Sequence, residues 1–284
     1  MRTRHRHLPF RRATLSLGLA GAALGIGLWA AGFPGRLRDV LGPPAVSAAE
    51  AYADAPDGRT FDHARLDALL RAHVDGEGLV DYEGLDREST ALDAYLATLA
   101  DAPFEQLGRD ERLALLINAY NAFTLRLILD HRPLDSIKDI PSGKRWDDRR
   151  FRLAGEMLSL NQIEHERIRP RFREPRVHFA LVCAARSCPP LRAEAYTGER
   201  LETQLADQTR RVHSGARWLR FDPVSGTLHL TKLYDWYESD FLQAAPSVEE
   251  YVAAHVSSVR AALDTGRSVK IRWLPYDWSL NERR

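Results

Sequence analysis

Cysteine is scarce: the 284-residue chain holds two, Cys183 and Cys188. That count excludes a disulfide-dense scaffold. There is no CxxC pair, no HExxH stretch and no acidic calcium loop, so none of the usual spacings for a zinc or calcium centre is present. No GxSxG stretch marks a nucleophile elbow, and no glycine-rich loop marks a phosphate site. Nothing in the sequence calls for a metal or another cofactor. A basic excess is also missing from the body of the chain. Residues 56–284 carry 33 Lys and Arg against 36 Asp and Glu, which excludes a general nucleic-acid binder. No internal repeat appears.

Glycine, proline and almost all charge are absent from Leu113–Leu129, LALLINAYNAFTLRLIL, where Arg126 is the one charged residue. Apolar residues recur at Leu113, Leu116, Ile117, Tyr120, Phe123, Leu127 and Ile128, which is helical spacing. The intervening positions are apolar too, so the helix is covered on every side. Two amides, Asn118 and Asn121, sit three residues apart on it. A buried amide without partners costs about 1–3 kcal/mol, so each must hold a loop, a strand or a site.

Five Arg and two His precede Ala13, and an uncharged run follows from Ala13 to Phe33. Residues 1–33 therefore read as an N-terminal hydrophobic helix that anchors the chain in the cell membrane in a single pass, with the basic end in the cytoplasm and the domain outside it. The alternative is a signal cleaved near Val46-Ser47-Ala48, leaving a secreted or periplasmic protein. Residues 34–58, rich in Pro, Gly and Ala, read as a flexible linker, and 59–284 as one globular domain.

Within that domain Asp62 is expected to cap a helix through Val74, Leu79–Tyr82 to form a short strand, and Ser89–Ala100 a second helix. The central helix ends before Pro133. Phe151–Leu158 reads as a hairpin around Gly155, and Ser159 with Gln162 as a capping box. The arginines from Arg167 to Arg176 read as a solvated face. Val177–Cys183, VHFALVC, is the strongest strand candidate, followed by a loop that Pro189-Pro190 keeps irregular. A helix over 198–212, a hairpin around Pro223–Gly226, a helix capped by Thr231, another from Ser247 to Asp264, and a last strand over Val269–Trp273 complete the order. Helices first, then strands interleaved with helices, give an α+β fold around a buried central helix.

Two sulfurs five positions apart outside the cytoplasm can close a disulfide. Alternatively Cys188 is a thiol nucleophile that needs a basic neighbour. His178, His165 and His229 are the candidates, although alternation along a strand would turn His178 and Cys183 to opposite faces. Asn161, Glu164 and His165 could form a polar cluster under the loop. Trp236, Tyr237, Trp273, Tyr276 and Trp278 read as core.

Four segments taken together resemble the domain of unknown function 547 family: Ile117–Ala122 (INAYNA), Leu158–His165 (LSLNQIEH), His178–Pro189 (HFALVCAARSCP) and Tyr276–Asn281 (YDWSLN). The resemblance implies a single domain without an established activity. A buried helix, followed about sixty residues later by a strand starting with His, is also similar to the transglutaminase and papain-like core. There the central helix carries the nucleophilic Cys, whereas here it carries Asn118 and no Cys. That likeness implies a non-catalytic domain or a nucleophile supplied by Cys188.

Three readings follow. In the first, Asn118, Asn121, Asn161, Glu164, His165, His178 and Asp277 line one polar pocket for a small molecule or peptide. In the second, Cys188 with His178 or His165 performs acyl transfer or thiol exchange. In the third, the polar groups are a satisfied network and Cys183–Cys188 a structural disulfide.

Overall fold

A computed structural model describes residues 43–55, 58–148 and 151–283. The expected N-terminal hydrophobic helix lies outside them. The described residues form a mixture of helices and two small sheets, an α+β arrangement.

Helices α1 (Ala64–His73), α2 (Tyr82–Arg87) and α3 (Ser89–Ala100) pack around the central helix α4 (Arg109–His131). Every residue from Glu111 to Leu125 is buried. By length and hydropathy α4 could cross a bilayer, yet 89% of its most apolar window is buried inside the protein, so its apolarity serves the core. Asp110 and Glu111 in its first turn complement the helix dipole. Glu111 also accepts hydrogen bonds from the N–H groups of Phe61 and Gly198, tying distant loops to one helix end.

Antiparallel strands β1 (Phe151–Leu153) and β2 (Glu156–Leu158) form the expected hairpin, with Gly155 at φ +83° in the turn. The Ser159–Gln162 capping box starts α5 (Leu160–Gln162), which widens at once into a π-helical stretch over Ile163–Ile168. After the helix α6 (Leu201–Ser214), β3 (Leu219–Asp222) pairs antiparallel with β4 (Thr227–Leu230). Short helices α7 (Leu233–Trp236), α8 (Glu238–Phe241), α9 (Val248–Ala253) and α10 (Ser257–Asp264) follow, and β5 (Lys270–Trp273) then adds parallel to β4. The core has two clusters, a large one around α4 and a smaller one between the three-stranded sheet and α7–α10.

Several expectations are corrected. Val177–Cys183 is not a strand. Pro175, whose fixed φ suits a first turn, opens a 3₁₀ turn over Pro175–Phe179, and the chain then runs irregularly to Cys188. Leu79–Tyr82 contributes only single bridges at Val80, and Tyr82 already begins α2. The 247–264 helix is broken near Val256 into α9 and α10. Part of the expected linker is docked: Val46 is buried, Ala49 and Ala51 donate to Pro170 and Arg171, and the Tyr52 ring lies 4.4 Å beneath the Arg112 guanidinium. On β5, Trp273 is 37% exposed, so that strand is covered on neither face to the extent its alternation suggests.

Residues 276–283 form a tail threaded through the fold. Ser187 and Arg186 donate to Asp277 and Ser279, Leu280 donates to Asp135, and Asn281 donates to Ala184. The Asn281 carbonyl accepts from Val80, and its side chain accepts from the Tyr82 hydroxyl at 2.7 Å.

Candidate binding cleft

The wide helical turn after α5 sets the floor of the site. Arg169 N–H bonds to the Glu164 carbonyl five residues back, and the unwound geometry brings the adjacent Glu164 and His165 to one cleft. Single π turns inside helices recur where function demands such a placement.

From there a chain of charged and polar groups runs inward. His165 Nδ1 lies 4.0 Å from Glu164 and 3.2 Å from Arg169 Nη1. Arg169 grips Asp240 with two parallel bonds of 2.7 and 2.8 Å, and Asp240 Oδ2 also takes His178 Nε2 at 2.8 Å. The His178 ring stacks on Tyr237 at 3.7 Å, and the Arg169 guanidinium faces the same phenol. Because guanidinium can only donate, Nδ1 of His165 is its lone-pair nitrogen and Nε2 carries the proton.

Burial holds His165 down to about 4, so it is neutral at pH 7. Burial pushes the Glu164 carboxyl up, but His165, His178, the Tyr237 hydroxyl and Arg169 outweigh it and the net direction is down, leaving a carboxylate. Asp240 goes the same way, its desolvation overcome by Arg169 and His178. Burial and the Glu164 charge raise the phenols of Tyr120 and Tyr237, which remain protonated donors to that carboxylate.

The cleft above this floor encloses about 200 Å³. Its walls are aromatic: Tyr120, Trp146, Trp236, Tyr237, Tyr276 and Trp278. Trp236, Tyr276 and Trp278 pack with centroids 4.6–5.9 Å apart, and Lys138 Nζ lies 3.9 Å over the Trp278 ring. One wall is a Cys183–Cys188 disulfide with a Cα separation of 6.2 Å. The bonded sulfurs leave Cys188 without the free thiol that a nucleophile requires. Among the described residues no group of three or more His, Cys, Asp or Glu side chains is placed to hold a metal ion.

Asn161, Glu164, His165, His178 and Cys188 all line this cleft. Asn118, Asn121 and Asp277 do not. Asn118 exchanges two hydrogen bonds with the backbone of Tyr196, and Asn121 does the same with Ala180 and Val182. Both amides are braces for irregular backbone. Asp277 folds its carboxylate back onto Ser279. His229 lies on β4, opposite Arg220 of β3, and is not part of the site. Four of the five aromatics expected in the core, all but Trp273, pack against the core clusters and also line the cleft. Arg169, taken with its neighbours for a solvated face, is 2% exposed. The opposite-face argument against His178 and Cys183 fails because no strand separates them.

The family model described as protein of unknown function, DUF547, matches residues 104–211. That span holds α4, Glu164, His165, Arg169, His178 and both cysteines, so three of the four segments that carried the resemblance fall within it, and Tyr276–Asn281 lies beyond it. No curated protein and no solved structure matches the chain. The likeness to the papain-like core loses its ground, since the strand it placed at His178 is a 3₁₀ turn.

Proposed function

We propose that the cleft binds a small molecule or a peptide through a positively charged amino group. One observation carries this: a buried carboxylate, Glu164, lies at the floor of a cavity walled by aromatic rings. Arg169 gives its paired hydrogen bonds to Asp240, and Glu164, kept ionised by its neighbours and by phenol donors, is the cleft-lining carboxylate that a cationic ligand can complement. Ring faces are negative and attract ammonium groups when water is displaced, by up to about 2 kcal/mol each. Lys138 over Trp278 is an internal instance of that contact.

The test is calorimetric titration of the protein with phenethylamine and with short peptides, each in free-amine and N-acetylated form. Free amines should bind, and the acetylated counterparts should bind at least about tenfold more weakly, the equivalent of 1.4 kcal/mol. Glu164→Gln should remove the preference. Equal affinity for free and acetylated forms would refute the reading.

The basic start followed by an uncharged run supports a further proposal, that the body lies outside the cytoplasm, tethered to the membrane or released by cleavage. Retention of the protein in carbonate-washed membranes separates the two.

A further inference from the structure

The disulfide wall goes beyond ligand binding. We infer that Cys183–Cys188 is an exchange site for a thiol-bearing substrate, with Cys183 the sulfur that is attacked and Cys188 the leaving thiolate.

Position is the first ground. Both cysteines line the cleft at the edge of the core; Cys183 is half-buried, while Cys188 packs in the core cluster and is 4% exposed. An incoming thiol held among the rings meets Cys183. The second ground is the bonding of the departing atom. Cys188 Sγ already accepts the Cys183 backbone N–H at 3.0 Å, a contact that distinguishes it from Cys183 Sγ, and the Tyr276 hydroxyl lies beside both sulfurs, 3.3 Å from Cys188 and 3.4 Å from Cys183. In the disulfide neither sulfur carries hydrogen, so Tyr276 is the donor, and its burial raises the phenol and keeps it protonated. A thiolate formed at Cys188 would find two donors in place, and a stabilised leaving thiolate departs faster.

The third ground is that the loop does not need the cross-link. The segment is held by Asn121 at Ala180 and Val182, by the tail at Ala184, Arg186 and Ser187, and by Trp218 Nε1, which donates to the carbonyl of Cys188 at 3.0 Å. The bond spans five positions between points already fixed, so breaking it leaves the cleft standing.

The chemistry balances in two steps. A substrate thiolate RS⁻ forms a bond to Cys183 Sγ as the Cys183–Cys188 bond breaks, and the electron pair passes to Cys188 as thiolate. A second substrate thiolate then attacks the substrate sulfur of the mixed disulfide, releasing RS–SR and the Cys183 thiolate. Two thiols are oxidised and the protein disulfide is reduced to a dithiol, so a single turnover needs no other oxidant.

The experiment uses the oxidised full chain with glutathione as probe, quenched in acid at intervals and mapped by mass spectrometry. The expected product is a mixed disulfide on Cys183, about tenfold or more over Cys188, formed while circular dichroism stays native. Two variants give an independent readout. In Cys183→Ala the backbone N–H at position 183 survives, so the Cys188 thiol should titrate below about 8.5, followed by thiolate absorbance, and adding Tyr276→Phe should raise it. If either variant fails to fold, the wild-type adduct map still decides. Glutathionylation at Cys188, no reaction before denaturation, or unfolding on reduction would each overturn the assignment.

Discussion

Asn121→Ala should loosen the segment that joins two walls of the cleft. In the native protein Asn121 Oδ1 accepts the Val182 N–H at 2.9 Å and Nδ2 donates to the Ala180 carbonyl at 2.9 Å, all buried. Alanine leaves both backbone groups without partners in a place water does not reach. Each orphan costs about 1–3 kcal/mol, so the loss is about 2–6 kcal/mol. For a domain of this size that lowers the melting temperature by roughly 4–24 °C, at about 2–4 °C per kcal/mol. The global figure is less telling than the local one, because stability of 5–15 kcal/mol leaves the variant folded over much of that range. Hydrogen exchange resolves the local effect: the Val182 amide should exchange at least about thirtyfold faster, which corresponds to about 2 kcal/mol of lost protection. Asn161→Ala, a change at a half-buried residue bonded to Asp147, should leave that amide untouched. A Val182 amide that stays as slow in Asn121→Ala as in the wild type would refute the bracing role.

Further outcomes test the charge chain and the backbone. Asp240→Asn removes one partner of a buried pair and leaves Arg169 uncompensated, which should cost about 3–5 kcal/mol by denaturant unfolding. Asp240 is held below its usual range, so its stabilising effect is complete above about pH 4 and is lost as acid drives the pH through the lower folded value; the acid limb of the stability curve should flatten in the variant. Burial holds His63, His165 and His213 down to about 4 each, so the unfolded chain binds more protons between about pH 6.5 and 4; stability should fall over that window as pH drops, and imidazole NMR titrations should show no protonation of these rings near pH 6. Gly78→Ala places a Cβ 2.6 Å from the Pro190 and Leu191 backbone at φ +78°, and should lower the melting temperature by more than an ordinary surface substitution, for which about 0.5 kcal/mol is the limit.

Much of the local structure was legible because it is local. The apolar period fixed α4, Ser89–Ala100 was placed within its observed bounds, and the Ser159 box and Gly155 turn announced themselves through neighbours three residues apart. What escaped was decided at long range. Val177–Cys183 has the composition of a strand, but its backbone is satisfied by side chains rather than by a sheet: Asn121 bonds to Ala180 and Val182, and Gln208 Nε2 donates to Phe179. No window of sequence contains those partners. The two asparagines were rightly judged costly to bury, yet an amide braces backbone as readily as it lines a site. The cleft residues Tyr120, Lys138 and Trp146, and the Arg169–Asp240 pair behind them, have no spacing signature; Asp240 lies 71 residues from the arginine that it binds. The tail and α7–α8 aromatics resemble core because Trp236, Tyr276 and Trp278 pack on one another and Tyr237 stacks on His178, around a cavity.

The threaded tail has a consequence for the order in which the molecule is completed. Tyr276 and Trp278 are two sides of the cavity, and the strap that seats them is bonded to segments near residues 80, 135 and 185. A nascent chain can wrap α4 and close the β1–β2 hairpin well before those residues leave the ribosome, but the binding chamber stays unroofed until they do.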